Sequence, residues 1–169
     1  MLYRYTSCTL TLLKLFEYFL AQAIAFSIKD NNEAQYGPQL AIDEQIKNGF
    51  YHSGNVEDTY PWHMTVLPHP VNLHTVTIYN RHDCCGYRLK DVEVRAGMTK
   101  ITEGFNGRLT QNTLCGTLEG PGKNGVAYDI TCTTPIPANV VTVQIVGRKA
   151  GVHILALDEL EFTAVEYSG

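Results

Sequence analysis

Two arginines flank a pair of adjacent cysteines in residues 81–88, which read Arg-His-Asp-Cys-Cys-Gly-Tyr-Arg. A bond between Cys84 and Cys85 would close a small, strained ring and present a stiff, apolar sulfur surface. Arg81 and Arg88 would offer planar donor forks on either side of it. An apolar plate beside two forks suits a sugar, which has one apolar face and a rim of hydroxyls. The alternative is a pair of reduced, buried cysteines with two surface arginines in salt bridges.

This motif resembles the fucolectins, or F-type lectins, which place an arginine, an aspartate and a second basic residue at the same spacing. Three further segments resemble the family in the same order, and the similarity extends over roughly residues 20–167. Those segments are residues 39–43, 61–62 and 155–162. The resemblance implies an all-β fold, a jelly-roll β-sandwich of the galactose-binding, discoidin-like kind.

Periodicity points to the same fold. Apolar residues alternate in residues 75–79, 92–95 and 126–130, and residues 139–146 are almost continuously apolar and β-branched. These patterns predict short strands and a β-sandwich. Glycine, asparagine and proline pairs predict turns at 106–107, 121–122, 124–125 and 135–137. Residues 29–60 are polar and lack a clear period, so we expect a long irregular segment that is functional or held by a ligand.

The resemblance implies a sugar pocket around the motif. In the family, a histidine and the two motif arginines donate to fucose, an acid orients one arginine, and the adjacent-cysteine disulfide packs against the sugar. Arg81, Arg88, Asp83 and the Cys84–Cys85 pair match these roles. His52 is the nearest candidate for the histidine. It lies farther from the motif than the family spacing, and residues 50–52 look like a neighbouring family segment. The ligand position then falls near residue 57 or is lost, and we expect His52 not to take this role.

The resemblance also implies a calcium site, with Asp43 and Glu159 as carboxylate ligands. Backbone carbonyls would complete it, from Leu40, Gln45, Gly54 and Asp158. Oxygen-rich loops of this kind suit Ca²⁺. The sequence departs from the family at Glu44, where the family usually has glycine. The alternative is a solvated acidic loop.

Four cysteines form an even set, and Cys8 lies apart in an apolar N-terminal stretch. Cys115 and Cys132 bracket residues 116–131, which are rich in glycine and proline, and a bond there would clip a flexible segment. The family has a matching pair at this place. The alternative is two unpaired thiols. A second family disulfide is missing, because Asn55 and Asp158 occupy its two positions.

Composition excludes some classes of function. The formal charge is −4 and there is no basic run, so nucleic acid is not expected as a partner. The histidines lack zinc-site spacing, no P-loop is complete, and the sequence shows no sign of an enzyme. Trp62 is expected in the core rather than as a sugar platform. Residues 1–25 are either a degenerate signal peptide or the start of the first strand, and no later segment is long and apolar enough to span a membrane.

The leading hypothesis is a secreted, calcium-stabilised lectin domain, residues 20–167, for terminal L-fucose on glycans or glycoproteins. A homo-oligomer is compatible with the sequence. The alternative is a discoidin-like extracellular module that has lost fucose binding and recognises another glycan or a protein.

Overall fold

The computed structural model describes residues 21–54, 59–102, 104–147 and 153–167. Seven strands dominate this part of the chain: β1 (Gln22–Ala25), β2 (Tyr51–His52), β3 (Trp62–Asn80), β4 (Val92–Gly97), β5 (Thr113–Leu118), β6 (Ala127–Ile145) and β7 (Ala156–Glu166). One short α-helix spans Glu33–Tyr36, and 3-10 turns occupy Lys29–Asn31, Pro38–Ala41 and Gly86–Arg88. Every strand pairing is antiparallel. The predicted all-β sandwich is therefore confirmed.

Strands β3 and β6 are long and pair with each other along most of their length. The second half of β3 also pairs with β7, which pairs with β2. The first half of β3 pairs with β1, while the end of β6 pairs with β4, which pairs with β5. The β3–β6 pair thus contributes to two layers, β2-β7-β3-β6 and β1-β3-β6-β4-β5.

Prolines lie where the register of this strand pair shifts. The β3–β6 register shifts between Val66 and Val71 and again between Leu73 and Thr75. Pro68 and Pro70 lie in the first irregularity, and Pro135 lies in the second. Proline cannot donate to a sheet ladder, so it is tolerated where the ladder is already interrupted. The turn predicted at 135–137 is consequently wrong, because β6 passes through it as a bulged strand.

The main core lies between the two layers. Its members are buried aliphatic and aromatic side chains of β3, β4, β6 and β7, and Leu73, Ile78, Val94, Val143 and Leu160 are each 0–1% exposed. Trp62 belongs to a second, smaller cluster with Met64, Ile101, Leu109 and Val140. It is fully buried and donates its indole N–H to Phe105 O at 2.9 Å. The prediction that Trp62 is a core residue is confirmed.

Both expected disulfides are present, Cys84–Cys85 and Cys115–Cys132. Cys115 lies in β5 and Cys132 in β6, and both are buried. The segment between them is therefore strand, loop and strand rather than a free excursion. Because β5 is the last strand of one layer and this part of β6 belongs to the other, the bond ties the two layers together.

The structure tests only the last residues of the N-terminal prediction. Residues 1–20 lie outside the described part, and β1 pairs with β3 from Gln22 to Ala25. Cleavage after Ala25 would remove this strand, so the signal-peptide reading stays a prediction. In the described residues, none of the helices has the length and apolar character needed to cross a membrane.

Candidate functional site

The cysteine–arginine motif forms a tight turn directly after β3. Cys85 has φ of +62°, a left-handed conformation, and Gly86–Arg88 follow as a 3-10 turn. The two cysteines are partly exposed, while Gly86 is buried. A Cβ on Gly86 would lie 2.5 Å from Asn124 N, so only glycine fits there. The turn therefore presents the disulfide outward on a closely packed base.

Arg81 is held in one orientation. Its Nη2 donates to Asp83 Oδ2 at 2.8 Å and its Nε donates to Asp83 Oδ1. Its guanidinium stacks 4.3 Å from the centroid of the Phe50 ring. Asp83 also accepts from Cys84 N at 2.7 Å, and the hydrogen bond from Arg81 holds the pKa of Asp83 well below its usual range. The predicted orienting role of Asp83 matches this geometry.

Arg88 has a donor without a partner. Its Nε is buried and makes no hydrogen bond within the described residues. A buried guanidinium donor left unpaired costs free energy. Arg88 stands three residues after Cys85 on the same turn. The residue as a whole is partly exposed, so the second predicted arginine lies at the surface beside the disulfide.

A loop from residue 119 to 126 packs against the turn, a contact that the sequence analysis did not predict. The Asn80 amide is 2% exposed and donates to both Gly86 O and Lys123 O at 2.9 Å. Asn124 Oδ1 accepts from Gly86 N at 2.7 Å. Asn80 and Asn124 therefore fix the turn through three hydrogen bonds. Asparagine next to the motif was the only available signal, and asparagine is equally common in ordinary turns.

The Nδ1 atom of His52 is bonded within the domain and is not free for a ligand. The ring is 4% exposed, and Nδ1 lies 2.6 Å from Ser53 O, so it donates to that carbonyl. Burial lowers the pKa of His52, and the positive charge of Arg81 lowers it further. His52 therefore lies near the motif but is buried. The alternative ligand position, near residue 57, lies outside the described residues.

His82 makes an unexpected link to the last strand. Its Nδ1 lies 2.7 Å from Asp158 Oδ2, and Asp158 is 1% exposed. Asp158 was expected to offer its backbone carbonyl to a metal, whereas its side chain binds the motif. Burial raises the pKa of Asp158, and the hydrogen bond from His82 partly offsets this. The pair joins the motif to β7, immediately beside Glu159.

Two of the predicted calcium ligands, Asp43 and Glu159, lie close enough for their charges to interact. Glu159 is 2% exposed, and burial together with the charge of Asp43 raises its pKa to about 8. Its Oε2 is buried without a hydrogen-bond partner. Asp43 Oδ1 accepts from Gln45 N at 3.0 Å, which shapes the loop. A buried acid facing a second carboxylate, with an unsatisfied oxygen, fits a cation with a preference for oxygen.

Other predicted calcium ligands are placed less clearly. Leu40 lies in the 3-10 turn Pro38–Ala41, close in sequence to Asp43. Gly54 donates its N–H to Ser27 Oγ at 2.8 Å. Within the described ranges, no three histidine, cysteine or acidic side chains cluster for a metal, but the expected set needs only two. Glu44 has φ of +63°, so it keeps the glycine-like conformation of the family without being glycine.

Comparisons with known proteins agree with this geometry. Residues 40–143 match the sequence profile of the NedA-like, galactose-binding domain. The chain is 28% identical to Fucolectin-1 of Anguilla japonica over 131 residues, which are 76% of this chain and 68% of that protein. The fold superposes with a TM-score of 0.70 and 24% identity on the crystal structure of an F-lectin (fucolectin) from Morone saxatilis serum.

That superposition covers 87% of this chain and 47% of the Morone saxatilis chain, so this chain spans about half the length of that lectin. A fucose binding module from Streptococcus pneumoniae, SpX-3, superposes with a TM-score of 0.61 and 18% identity, over 94% of this chain and all of that one. The chain belongs to the F5/8 type C family of NedA-like, galactose-binding domains, as a divergent, fucolectin-like member.

Proposed function

We propose that this domain is a calcium-stabilised lectin that binds terminal L-fucose on glycans or glycoproteins. The observation that carries the proposal is the motif turn itself, on which Arg81, oriented by Asp83, and the partly exposed Arg88 flank the partly exposed Cys84–Cys85 disulfide. Sugar hydroxyls or the ring oxygen would accept hydrogen bonds from the exposed N–H groups of the two guanidiniums. The relatives named as fucolectins and as a fucose binding module support fucose as the sugar.

The pocket would work by preorganisation. Asp83 and Phe50 hold the Arg81 guanidinium before any ligand arrives. Little side-chain freedom is then lost on binding. The Arg81 N–H groups that do not face Asp83 can donate to sugar hydroxyls, and the disulfide supplies an apolar contact for the sugar face. The arginines would thus fix the orientation of the sugar, while the disulfide adds buried apolar area.

Calcium would act from one side of this pocket. Asp43 and Glu159 would supply carboxylates, with carbonyls from the predicted residues of the loop. The positive charge of the bound ion would offset the negative charge of the buried Glu159 carboxylate. The loop around Asp43 would then be fixed to β7, on which Asp158 binds the motif through His82.

A calorimetric titration tests the proposal directly. The domain is titrated with L-fucose and, for comparison, D-galactose, in calcium and in chelator. Charge-assisted hydrogen bonds are worth about 1.5–3 kcal/mol, so Arg81→Lys and Arg88→Lys should each weaken fucose binding about tenfold or more. Arg108→Lys, whose arginine binds Glu93 on β4, is the control. Unchanged affinity in both motif variants would refute the arginine site.

The burial of His52 favours a second candidate function. With Nδ1 bonded to Ser53 O, the domain has no described histidine in the family's role. The domain would then be a discoidin-like extracellular module that binds another glycan or a protein. His52→Ala should cost little fucose affinity under the first proposal. A folded domain that binds neither fucose nor galactose, but binds another glycan on a glycan array, would favour the second. Both proposals place the protein outside the cell, where disulfides persist.

A further inference from the structure

Two aromatic rings lie between two cations along one side of the pocket. Lys29 Nζ lies 4.6 Å from the centroid of the Tyr36 ring, the tilted rings of Tyr36 and Phe50 have centroids 5.9 Å apart, and Arg81 lies over Phe50. We name these four residues the cation–aromatic row. None of them is fully buried. The row leads from Arg81, on the motif turn, to Lys29.

Local structure fixes the outer end of the row. Lys29 begins the 3-10 turn Lys29–Asn31, and the short helix Glu33–Tyr36 follows it. Asn32 caps this helix by accepting from Gln35 N at 3.2 Å. Lys29 Nζ also donates to Tyr36 OH at 3.4 Å, a long contact that uses one of its three hydrogens. The ammonium is therefore held over the ring with donors to spare.

Three positively charged side chains lie near the buried ring of His52. Arg81, Lys29 and Arg88 all act on the buried ring of His52, where each lowers the pKa. The carboxylates whose fields reach Arg81 are Asp83 and Asp158. Asp83 is bound to Arg81 itself, and Asp158 is bound to His82. Lys29 thus adds a cation to a pocket in a chain whose formal charge is −4.

We propose that the domain prefers fucosylated glycans that carry a sulfate or carboxylate on the neighbouring sugar, with Lys29 as the residue that selects the anion. This inference rests on the proposed fucose site, which it deepens. Tyr36 and Phe50 would pack against the neighbouring sugar, while the ammonium of Lys29 pairs with its anionic group. Sulfate and carboxylate share this chemistry, so separate ligands must distinguish them.

The test uses three ligands: a neutral fucosylated trisaccharide, its monosulfated form and its sialylated form. Affinities are measured at low and high salt for the full chain and for Lys29→Gln, Lys29→Arg and Lys100→Gln. Lys100 is an exposed lysine outside the row and serves as the control. Thermal melts of each variant check that the fold is intact.

We expect at least one anionic form to bind about two- to fivefold more tightly than the neutral form, the range of one exposed ion pair. This preference should vanish in Lys29→Gln and at high salt, and persist in Lys29→Arg and Lys100→Gln. Equal affinity for all three ligands, or a preference that survives Lys29→Gln, would overturn the inference and leave the fucose site standing. Binding of none of the three would overturn the fucose function, and this inference with it.

Discussion

His63 makes the stability of this domain sensitive to acid. Its ring is fully buried at 5.2 Å from Tyr51, and Nε2 donates to Pro38 O at 2.9 Å. Nδ1 is buried and has no hydrogen-bond partner. Protonation would add an N–H group there without an acceptor, and burial accordingly lowers the pKa of His63 from 6.5 to about 4. The neutral ring is the form that the fold accepts.

The direction of the effect follows from proton counting. Between pH 6.5 and about 4 the unfolded chain binds a proton at His63 that the folded domain excludes. Stability is therefore complete above this window and falls as the pH drops through it. The full loss is about 3 kcal/mol, and about 2 kcal/mol of it is reached by pH 5. At roughly 2–4 °C per kcal/mol, the melting temperature should fall by about 4–8 °C at pH 5.

The perturbation is His63→Gln, whose side-chain amide can still donate to Pro38 O but does not titrate. Free energies of unfolding in urea are measured for both proteins from neutral pH to pH 4, in excess calcium. Other titrating groups are common to both proteins, so the difference between the two curves isolates His63. We expect the advantage of the wild type over the variant to shrink by about 2 kcal/mol between neutral pH and pH 5.

Exposed His69 provides the matched control, because His69→Gln also removes one histidine from β3. That variant shows what the loss of a histidine side chain from β3 does by itself. Parallel curves for wild type and His63→Gln would refute the reasoning, since they would mean that the folded domain accepts the proton at no cost.

Three further predictions concern the calcium loop and β7. In chelator, the raised pKa of Glu159 makes the contribution of this residue to stability largest at low pH and smaller as the pH rises from 4.5 toward 8, whereas Glu159→Gln should remove this contribution and abolish any rise in melting temperature on adding calcium. Glu44→Gly should raise stability by about 1 kcal/mol and tighten calcium binding, while Lys47→Gly, at φ of +69°, should relieve similar strain without changing calcium affinity. His82→Ala and Asp158→Asn should weaken fucose binding by similar factors, with the double variant no worse than either; additive losses in a double-mutant cycle would show that the two residues do not act as a pair.

Local signals carried most of the correct sequence predictions. The strands at 75–79 and 92–95 follow their alternation, and the motif turn keeps its arginines, aspartate and disulfide within eight consecutive residues. The resemblance to the fucolectins also pointed to Asp43 and Glu159, which lie far apart in the chain and interact electrostatically in the fold. That they bind calcium stays a prediction.

Contacts between distant segments could not be predicted in this way. His82 and Asp158 are 76 residues apart, and nothing around either residue indicates the other. The same holds for Asn80 and Lys123, which are 43 residues apart. The extent of β3 was also missed, because only residues 75–79 show a strand pattern, whereas the folded strand runs from Trp62 to Asn80 with irregularities in its ladder. Side-chain partners across a sandwich depend on register, which a single sequence does not specify.

The shared β3–β6 pair has a consequence for how the domain comes apart. Each of these strands runs through both layers, so neither layer can detach without breaking the backbone ladder that it shares with the other. The Cys115–Cys132 bond adds a covalent tie between the same layers. Amide hydrogens of both layers should therefore exchange with solvent at a common free energy, that of global opening. A glycan held at the end of β3 would then protect distant strands such as β4 as strongly as those beside it.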